Sequence, residues 1–150
     1  MLVSLGGTAI EGMVLTALGE RGLQGVRSRH GFVFQRLLAG PATATEMART
    51  LGVTQQAMSK TVRELVALGY VVETRDPADA RRRPVALTAT GQEVVDVSRD
   101  ARRSLEERVR STVGEERAEV AAEVLAAMLD LLGLSEPVSR RAVPPPAGTF

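Results

Sequence analysis

Cysteine is absent from this chain of 150 residues, and histidine occurs only once, at position 30. Without cysteine the chain forms no disulfide framework and offers no thiol for redox chemistry. A single histidine leaves no set of ligands at zinc spacing and no Ser-His or Cys-His nucleophile system with a spare base. Leu5-Gly6-Gly7-Thr8 lacks the spacing and the lysine of a phosphate-binding loop. We therefore expect a protein that is not an enzyme and that holds no metal or cofactor.

Long apolar runs are also missing, although 44% of the residues are hydrophobic. No stretch approaches the roughly 18 apolar residues that a membrane-spanning helix needs, so no membrane contact is predicted. The start of the chain lacks the basic segment and small-residue cleavage site of a secretory signal, which makes a cytoplasmic location the expectation. The length fits one domain, or one domain with an appended interface.

Charge is divided unevenly along the chain. Residues 46–90 contain seven basic and five acidic residues, whereas residues 91–133 contain six basic and ten acidic residues. We expect the first segment to face phosphates and the second to face solvent or a partner. Lys60 is the single lysine. Apart from His30, all the other basic residues are arginines, which suit phosphate and guanine recognition. A GC-rich genome would produce the same arginine bias.

Hydrophobic periodicity predicts two helices in the first third of the chain. Apolar residues recur at helical spacing over about residues 5–19, before Gly19 and Gly22. Residues 27–38 contain a second set of apolar residues and are predicted to form a helix, which Gly40-Pro41 closes. His30 precedes Gly31 in a short polar stretch, so we expect a surface or helix-capping role for it.

A helix-turn-helix pattern follows. Thr43-Ala44-Thr45-Glu46 fits a capping box, so a helix is predicted to begin near Ala44 and to end at Gly52. Thr54 is the predicted cap of the next helix, which extends to Leu68. The apolar residues expected to face inward on that helix are Met58, Val62, Leu65 and Leu68.

The outward face of that helix carries groups that can form hydrogen bonds to base edges and phosphates. Met58 and Val62 point inward, which leaves Gln55, Gln56, Ser59, Lys60 and Arg63 outward at helical spacing. Glutamine can bond adenine, and lysine or arginine can bond guanine or a phosphate. Thr54, at the helix N-terminus, is placed to donate to a phosphate. A surface helix with a solvated polar face is the alternative that this pattern leaves open.

Two short β-prone segments come next, with arginines between them. Tyr70–Thr74 and Val85–Thr88 are the predicted strands, and Pro84 fits the start of a strand. Thr88 is a natural cap for a long helix that Gly114 interrupts, and a second apolar stripe then extends to Gly133. The Pro-rich residues 134–150 are expected to form a flexible tail.

The segment between the strands has a specific pattern. It consists of Arg75, Asp76-Pro77-Ala78-Asp79-Ala80-Arg81, Arg82 and Arg83, closed by Leu87-Thr88-Ala89-Thr90-Gly91. With the preceding helix pair, it resembles the winged helix-turn-helix of the MarR family of bacterial transcription regulators. The match in motif covers residues 43–91, and the match in organisation covers about residues 27–133.

The resemblance implies a mainly α fold with a small β-wing, in which Asp79 braces the wing and Arg81 enters the minor groove. The predicted DNA-binding residues are Thr54, Gln55, Gln56, Ser59, Lys60, Arg63, Arg75, Asp79, Arg81, Arg82 and Arg83. A run of solvated arginines is the competing interpretation of the wing.

The family is dimeric, and the sequence gives an independent reason to expect a homodimer. The first and last helices carry apolar stripes outside the compact unit, which a partner subunit would bury. Packing of these two helices on each other within one chain is the alternative. The predicted division is residues 1–26 for dimerisation, 27–90 for the winged helix-turn-helix, 91–133 for dimerisation and 134–150 for the tail. A twofold dimer predicts a palindromic operator.

The function predicted from these features is sequence-specific binding of double-stranded DNA by a homodimeric repressor. By the same resemblance, a small aromatic or phenolic effector binds between the dimerisation helices and the DNA-binding unit and releases the repressor. Phe32, Phe34 and Met13 fall in that region, but core packing explains them equally well, so the effector-binding residues stay unassigned. A non-specific or architectural DNA-binding protein and a winged-helix protein-interaction module are the alternatives.

Overall fold

The architecture is mainly helical with one small sheet, as the sequence predicts. The computed structural model describes residues 2–75, 79, 82–146 and 148–150, without the side chain of Leu2. Its elements are α1 (Leu2–Glu20), α2 (Ser28–Leu37), α3 (Ala44–Leu51), α4 (Gln55–Ala67), β1 (Val71–Glu73), β2 (Val85–Leu87), α5 (Ala89–Val113), α6 (Glu115–Leu131) and α7 (Ser135–Ser139).

Local capping fixes the helix-turn-helix. The Thr43 hydroxyl accepts the backbone N–H of Glu46 at 3.2 Å, and the Glu46 carboxylate accepts the N–H of Thr43 at 2.8 Å. Gly52 follows α3 with φ +67°, a conformation that residues with a Cβ rarely adopt. Thr54 caps α4 by accepting the N–H of Ala57 at 3.2 Å. The predicted capping box, turn and second cap are therefore confirmed.

The two strands form an antiparallel ribbon next to the start of α3. β1 pairs with β2 in the register Val71↔Leu87, Val72↔Ala86 and Glu73↔Val85. Ala42, just before α3, adds an isolated bridge to Val85 through backbone bonds of 3.1 and 2.9 Å. We call β1, β2 and residues 74–84 between them the wing; its base is thus attached to the helix-turn-helix. Pro84 immediately precedes β2, as predicted.

The Thr-x-x-Gly sequence at the start of α5 has a packing role. The Thr88 hydroxyl donates to the Gly69 carbonyl at 2.7 Å and accepts the N–H of Gly91 at 3.0 Å. A Cβ added to Gly91 would lie 1.9 Å from the Tyr70 carbonyl oxygen. Because only glycine permits this approach, α5 packs directly against the chain entering β1.

The core is formed by α1, α2, α3, α4, the base of the wing and the first turns of α5. Met58, Val62 and Leu65 of α4 are buried there. Leu68 was expected to face inward with them, but its side chain is 39% exposed. That prediction is wrong because α4 ends at Ala67, so the helical periodicity does not extend to Leu68.

One aromatic pair joins α2 to the wing base. The rings of Phe34 and Tyr70 pack edge to face with centroids 6.2 Å apart. The Tyr70 hydroxyl donates to the Gln24 carbonyl at 2.7 Å, and burial raises the pKa of this phenol. Tyr70 therefore connects the loop before α2 with the strand that follows α4.

The long C-terminal helices extend away from this core. α5 packs against α1 and α6, and Gly114 separates α5 from α6 as predicted. α7 lies within residues 134–150, and the flexibility expected of that segment stays a prediction. Among the described helices, none is both long and apolar enough to cross a membrane.

Candidate nucleic-acid interface

The structure brings the predicted reading residues of α4 to one surface. Gln55, Gln56, Lys60 and Arg63 are exposed, and Ser59 is half-buried beside them. The opposite face of α4 is buried in the core, with Met58 and Leu65 completely covered. This surface combines amide donors and acceptors, a hydroxyl and two cations along about two helical turns.

Thr54 stands at the beginning of this surface. Its exposed hydroxyl oxygen accepts the N–H of Ala57, so the hydroxyl proton can still be donated to another group. The partial positive charge of the α4 N-terminus adds to any attraction for an anion here. The arrangement is thus suited to a phosphate, and that contact stays a prediction.

Glu64 fixes the orientation of α4 against α2. Its Oε2 accepts from Arg29 Nη2 at 2.5 Å and lies 3.4 Å from His30 Nε2. The hydrogen bond from Arg29, ahead of the one from His30, lowers the pKa of Glu64. Both partners belong to α2. The carboxylate therefore connects α4 to α2, although Glu64 and Arg29 lie 35 residues apart in the sequence.

His30 is buried, contrary to the expected surface role, because its side chain is only 1% exposed. Its Nδ1 accepts the backbone N–H of Arg27 at 3.2 Å, so the expected capping role at the start of α2 is present. The proton then resides on Nε2 and points towards Glu64. Burial lowers the pKa of His30, and the hydrogen bond to Glu64 opposes that change.

An ion pair attaches the wing to α3. Arg82 Nη2 lies 2.6 Å from Glu46 Oε1, and the backbone N–H of Arg82 donates to the Asp79 carbonyl at 2.9 Å. The pKa of Glu46 is lowered to about 2, first by the Thr43 N–H and then by Arg82. Glu46 therefore serves the capping box and the wing at the same time.

Of the other predicted wing residues, three are exposed and one lies outside the described residues. Arg75 and Arg83 are exposed, as is Asp79, and Thr74 closes the strand pair by donating its N–H to the Pro84 carbonyl at 2.8 Å. Arg81, the arginine expected in the minor groove, lies outside the described residues. The DNA contacts assigned to Arg75, Asp79, Arg81, Arg82 and Arg83 stay predictions.

Sequence reasoning missed two of these positioning contacts. Glu46 was recognised only as part of a capping box, and Glu64 was not singled out. Each carboxylate finds its arginine 35 or 36 residues away in the sequence. A local motif contains no signal for a pairing at that separation, which arises only because the fold brings the start of α2 beside Glu64 and Arg82 beside the start of α3.

A cavity of about 590 Å³ lies between α1, α2, α5 and the segment after α6. It occupies the region where an effector was expected, and Phe32 and Phe34 contribute to its wall, whereas Met13 does not line it. Val14 and Val94 add apolar surface, and Arg102 adds a cation. Such a mixture suits an apolar ligand with a polar end.

Comparison with known proteins relates the chain to one family. Residues 24–82 match a model of the MarR family. No curated protein matches the chain in sequence. The family match contains α2, α3, α4, β1 and Arg82, so it covers the helix pair and the first part of the wing.

Solved structures with the same fold cover nearly the whole chain. The S. aureus MepR–DNA complex is 22% identical, with a TM-score of 0.70 over 87% of this chain and 97% of that one. RV1404 from Mycobacterium tuberculosis is 19% identical, with a TM-score of 0.71 over 86% and 88%. Transcriptional regulator Tm0710 from Thermotoga maritima is 24% identical, with a TM-score of 0.62 over 90% and 92%. These similarities confirm the predicted winged helix-turn-helix fold.

Proposed function

We propose that the chain, whose residues 24–82 match a model of the MarR family, is a sequence-specific, double-stranded DNA-binding transcriptional regulator that acts as a homodimeric repressor. The observation that carries the proposal is the exposed polar surface of α4, which Glu64 holds in a fixed orientation beside an arginine-containing wing. The fold of MepR, solved in complex with DNA, supports the same use of this surface.

The chemistry of α4 fits the major groove. A glutamine amide can bond adenine N6 and N7 together, while Lys60 and Arg63 can bond guanine or a phosphate. Gln56, Lys60 and Arg63 recur at helical spacing on the exposed face, so one helix can present all three to successive base pairs. Specificity then depends on this surface, and phosphate contacts from Thr54 set the register.

The wing is proposed to hold the neighbouring minor groove. Arg75 and Arg83 are exposed just after β1 and just before β2, and the sequence places Arg81 and Arg82 beside Arg83. Narrow A·T-rich minor grooves have an enhanced negative potential that attracts arginine. Binding by the wing would therefore add affinity and a preference for groove shape rather than contacts to particular base edges.

Exposed apolar side chains support the homodimer. On α6, Val124 is 63% exposed and Leu131 follows it along the helix at 89%. Val3 and Leu5 of α1 are exposed as well. An uncovered surface of this kind favours association, and burying it would contribute about 25 cal/mol per Å². A twofold dimer would place two copies of α4 about 34 Å apart, which matches successive major grooves.

The cavity between α1, α2 and α5 is the proposed effector site. Its walls come from α1 and α5, which are expected to form the dimer interface, and from α2, which Glu64 connects to α4. A small aromatic ligand would release DNA by binding better to a spacing of the two α4 helices that does not fit the operator. Action on DNA in this way requires no catalysis, and a cytoplasmic location follows from the proposed role.

Selection of bound sites from random double-stranded DNA tests the proposal. We expect a palindrome with half-sites one helical turn apart, bound by a dimer in analytical ultracentrifugation. Equal affinity for selected and scrambled DNA would instead indicate a non-specific or architectural protein. Absence of binding to any duplex at low ionic strength would favour a protein-interaction module and would contradict the proposed function.

A further inference from the structure

We propose that Glu46 is a wing-positioning residue, which acts through Arg82 to set the angle between the wing and the helix-turn-helix. In this role Glu46 increases operator affinity although its carboxylate, being negative, does not contact the DNA phosphates. The inference deepens the proposed function and rests on it for the operator measurements. Its structural part, the ordering of the wing, can be measured without DNA.

The two carboxylate oxygens of Glu46 have separate partners. Oε2 accepts the Thr43 N–H at 2.8 Å, which belongs to the first turn of α3, and Oε1 meets Arg82 Nη2 at 2.6 Å. One side chain thus joins the beginning of a helix to the wing. Charge-assisted hydrogen bonds of this length are stronger than neutral ones and hold their partners in a defined geometry.

A second attachment lies close to the first. Ala42, next to Thr43, exchanges two backbone hydrogen bonds with Val85, which is three residues after Arg82. A single attachment would leave the wing able to pivot, whereas two attachments at neighbouring points fix its direction. The Ala42 bridge holds β2, and the Glu46 pair holds Arg82, three residues before it.

The attachment transmits orientation to the reading surface. Glu46 caps α3, and α3 packs directly on α4, which carries Lys60 and Arg63. The pKa of Glu46, lowered to about 2 by the Thr43 N–H and by Arg82, keeps the carboxylate charged at neutral pH, so its attraction for Arg82 persists. Wing and α4 would therefore meet the minor and major grooves with a preset spacing, which reduces the ordering cost of binding.

Wing order is measured first, in the absence of DNA. Because the chain has no cysteine, Arg75→Cys gives one attachment site for a nitroxide label at the exposed end of β1. Glu46→Gln and Arg82→Gln should each increase the mobility of the label, and the double variant should increase it no further. Arg83→Gln removes the same charge from the neighbouring residue and should leave the mobility unchanged.

Glutamine is chosen at position 46 because its amide oxygen can still accept the Thr43 N–H, so the α3 cap persists. Circular dichroism melting checks that the variants fold. Should Glu46→Gln fail to fold, Arg82→Gln leaves the cap intact and carries the same test. Arg82→Lys, which keeps a cation near Glu46, should restore most of the wing order. Unchanged label mobility in both Gln variants would overturn the proposal.

Operator binding is measured next with unlabelled protein. Glu46→Gln should weaken affinity about two- to fivefold, the range expected for a partly exposed pair. Footprinting should show lost protection at the wing contacts and retained protection in the major groove. The double variant should bind no more weakly than Arg82→Gln, whereas multiplicative losses would contradict action through Arg82. A wild-type protein that binds no operator would refute the proposed function, and label mobility would still decide the positioning role.

Discussion

The guanidinium of Arg29 and the carboxylate of Glu64 lie 2.5 Å apart, with the buried imidazole of His30 beside them. This contact joins α2, which carries much of the core, to α4, which carries the reading surface. Most of α4 is held by apolar side chains that permit small rotations, whereas a hydrogen-bonded ion pair is directional. The buried apolar face of α4 determines which residues face outward, and the cluster adds a directional contact that limits rotation of the helix.

Removal of the Glu64 carboxylate should lower the stability of the whole unit. Glu64→Ala leaves the buried Nε2 of His30 without its acceptor, so the free energy of unfolding should fall by about 1 to 3 kcal/mol. Urea denaturation measures this change. Glu73→Ala, at an exposed position on β1, is the control and should change stability by less than about 0.5 kcal/mol. Equal effects of the two variants would argue against the cluster.

Acidification should destabilise the protein through His30. Burial lowers its pKa in the folded state below the ordinary value of 6.5, so the unfolded chain binds the proton more readily. Stability is then complete above pH 6.5 and is lost as the pH falls from 6.5 through the lowered folded value. Melting temperatures at pH 7.5 and 5.5 should differ less in His30→Asn, whose amide can still cap α2. If the pH dependence of stability is unchanged in that variant, groups other than His30 are responsible for it.

Gly91 should tolerate no larger residue. An alanine Cβ would lie 1.9 Å from the Tyr70 carbonyl oxygen, so Gly91→Ala should cost about 3 kcal/mol or more by forcing α5 away from the wing base. Gly31→Ala is the matched variant, since that helical glycine has no atom within 4 Å of an added Cβ. It should stabilise α2 by about 0.5 to 1 kcal/mol. Thermal melts that rank the two variants in reverse would contradict this packing.

Two cations of α4 should contribute differently to DNA binding. If Lys60 contacts a phosphate, Lys60→Ala should lower the slope of log K against log salt by about one unit for every sequence. If Arg63 contacts a base, Arg63→Ala should instead relax the preference at one position by about 1 to 3 kcal/mol. Titrations with operator variants at several salt concentrations distinguish the two effects. Unchanged slopes and preferences would leave both residues as solvated side chains.

Charge on the apolar face of α6 should dissociate the proposed dimer. Val124→Glu places a carboxylate where the interface is expected and preserves helix propensity. Sedimentation should shift towards the monomer mass, and operator affinity should fall with it. Glu119→Ala, an exposed change on the same helix, should leave the dimer intact. A dimer that persists in Val124→Glu would place the interface elsewhere.

Short-range chemistry explains which parts of the fold could be predicted. The caps at Thr43, Thr54 and Thr88 depend on bonds to residues three positions away, and the turn at Gly52 depends on its own φ. All of them are visible in a few consecutive letters. Leu68 shows the limit of this approach, since its inward orientation was extrapolated one residue beyond the helix end.

Pairings at long range could not be predicted in the same way. The partners of Glu46 and Glu64 are arginines among 19 basic residues, and nothing local distinguishes them from the others. His30 was expected to have a surface or helix-capping role because its neighbours in sequence are polar. The capping role is present, but the side chain is buried, and the tertiary fold places Glu64 3.4 Å from its Nε2.

The sequence by itself determined α1 to α6, the caps at Thr43, Thr54 and Thr88, the turn of the helix-turn-helix and the two strands of the wing, because each depends on interactions within one or two turns of chain. The short helix α7 was not predicted. Only the tertiary structure decided the strand register, the approach of Gly91 to Tyr70 and the cavity between α1, α2 and α5. It also decided two ion pairs, one between α2 and α4 and one between the wing and α3. Those features require segments distant along the chain to meet, and the geometry of that meeting is set by the packing of the whole core.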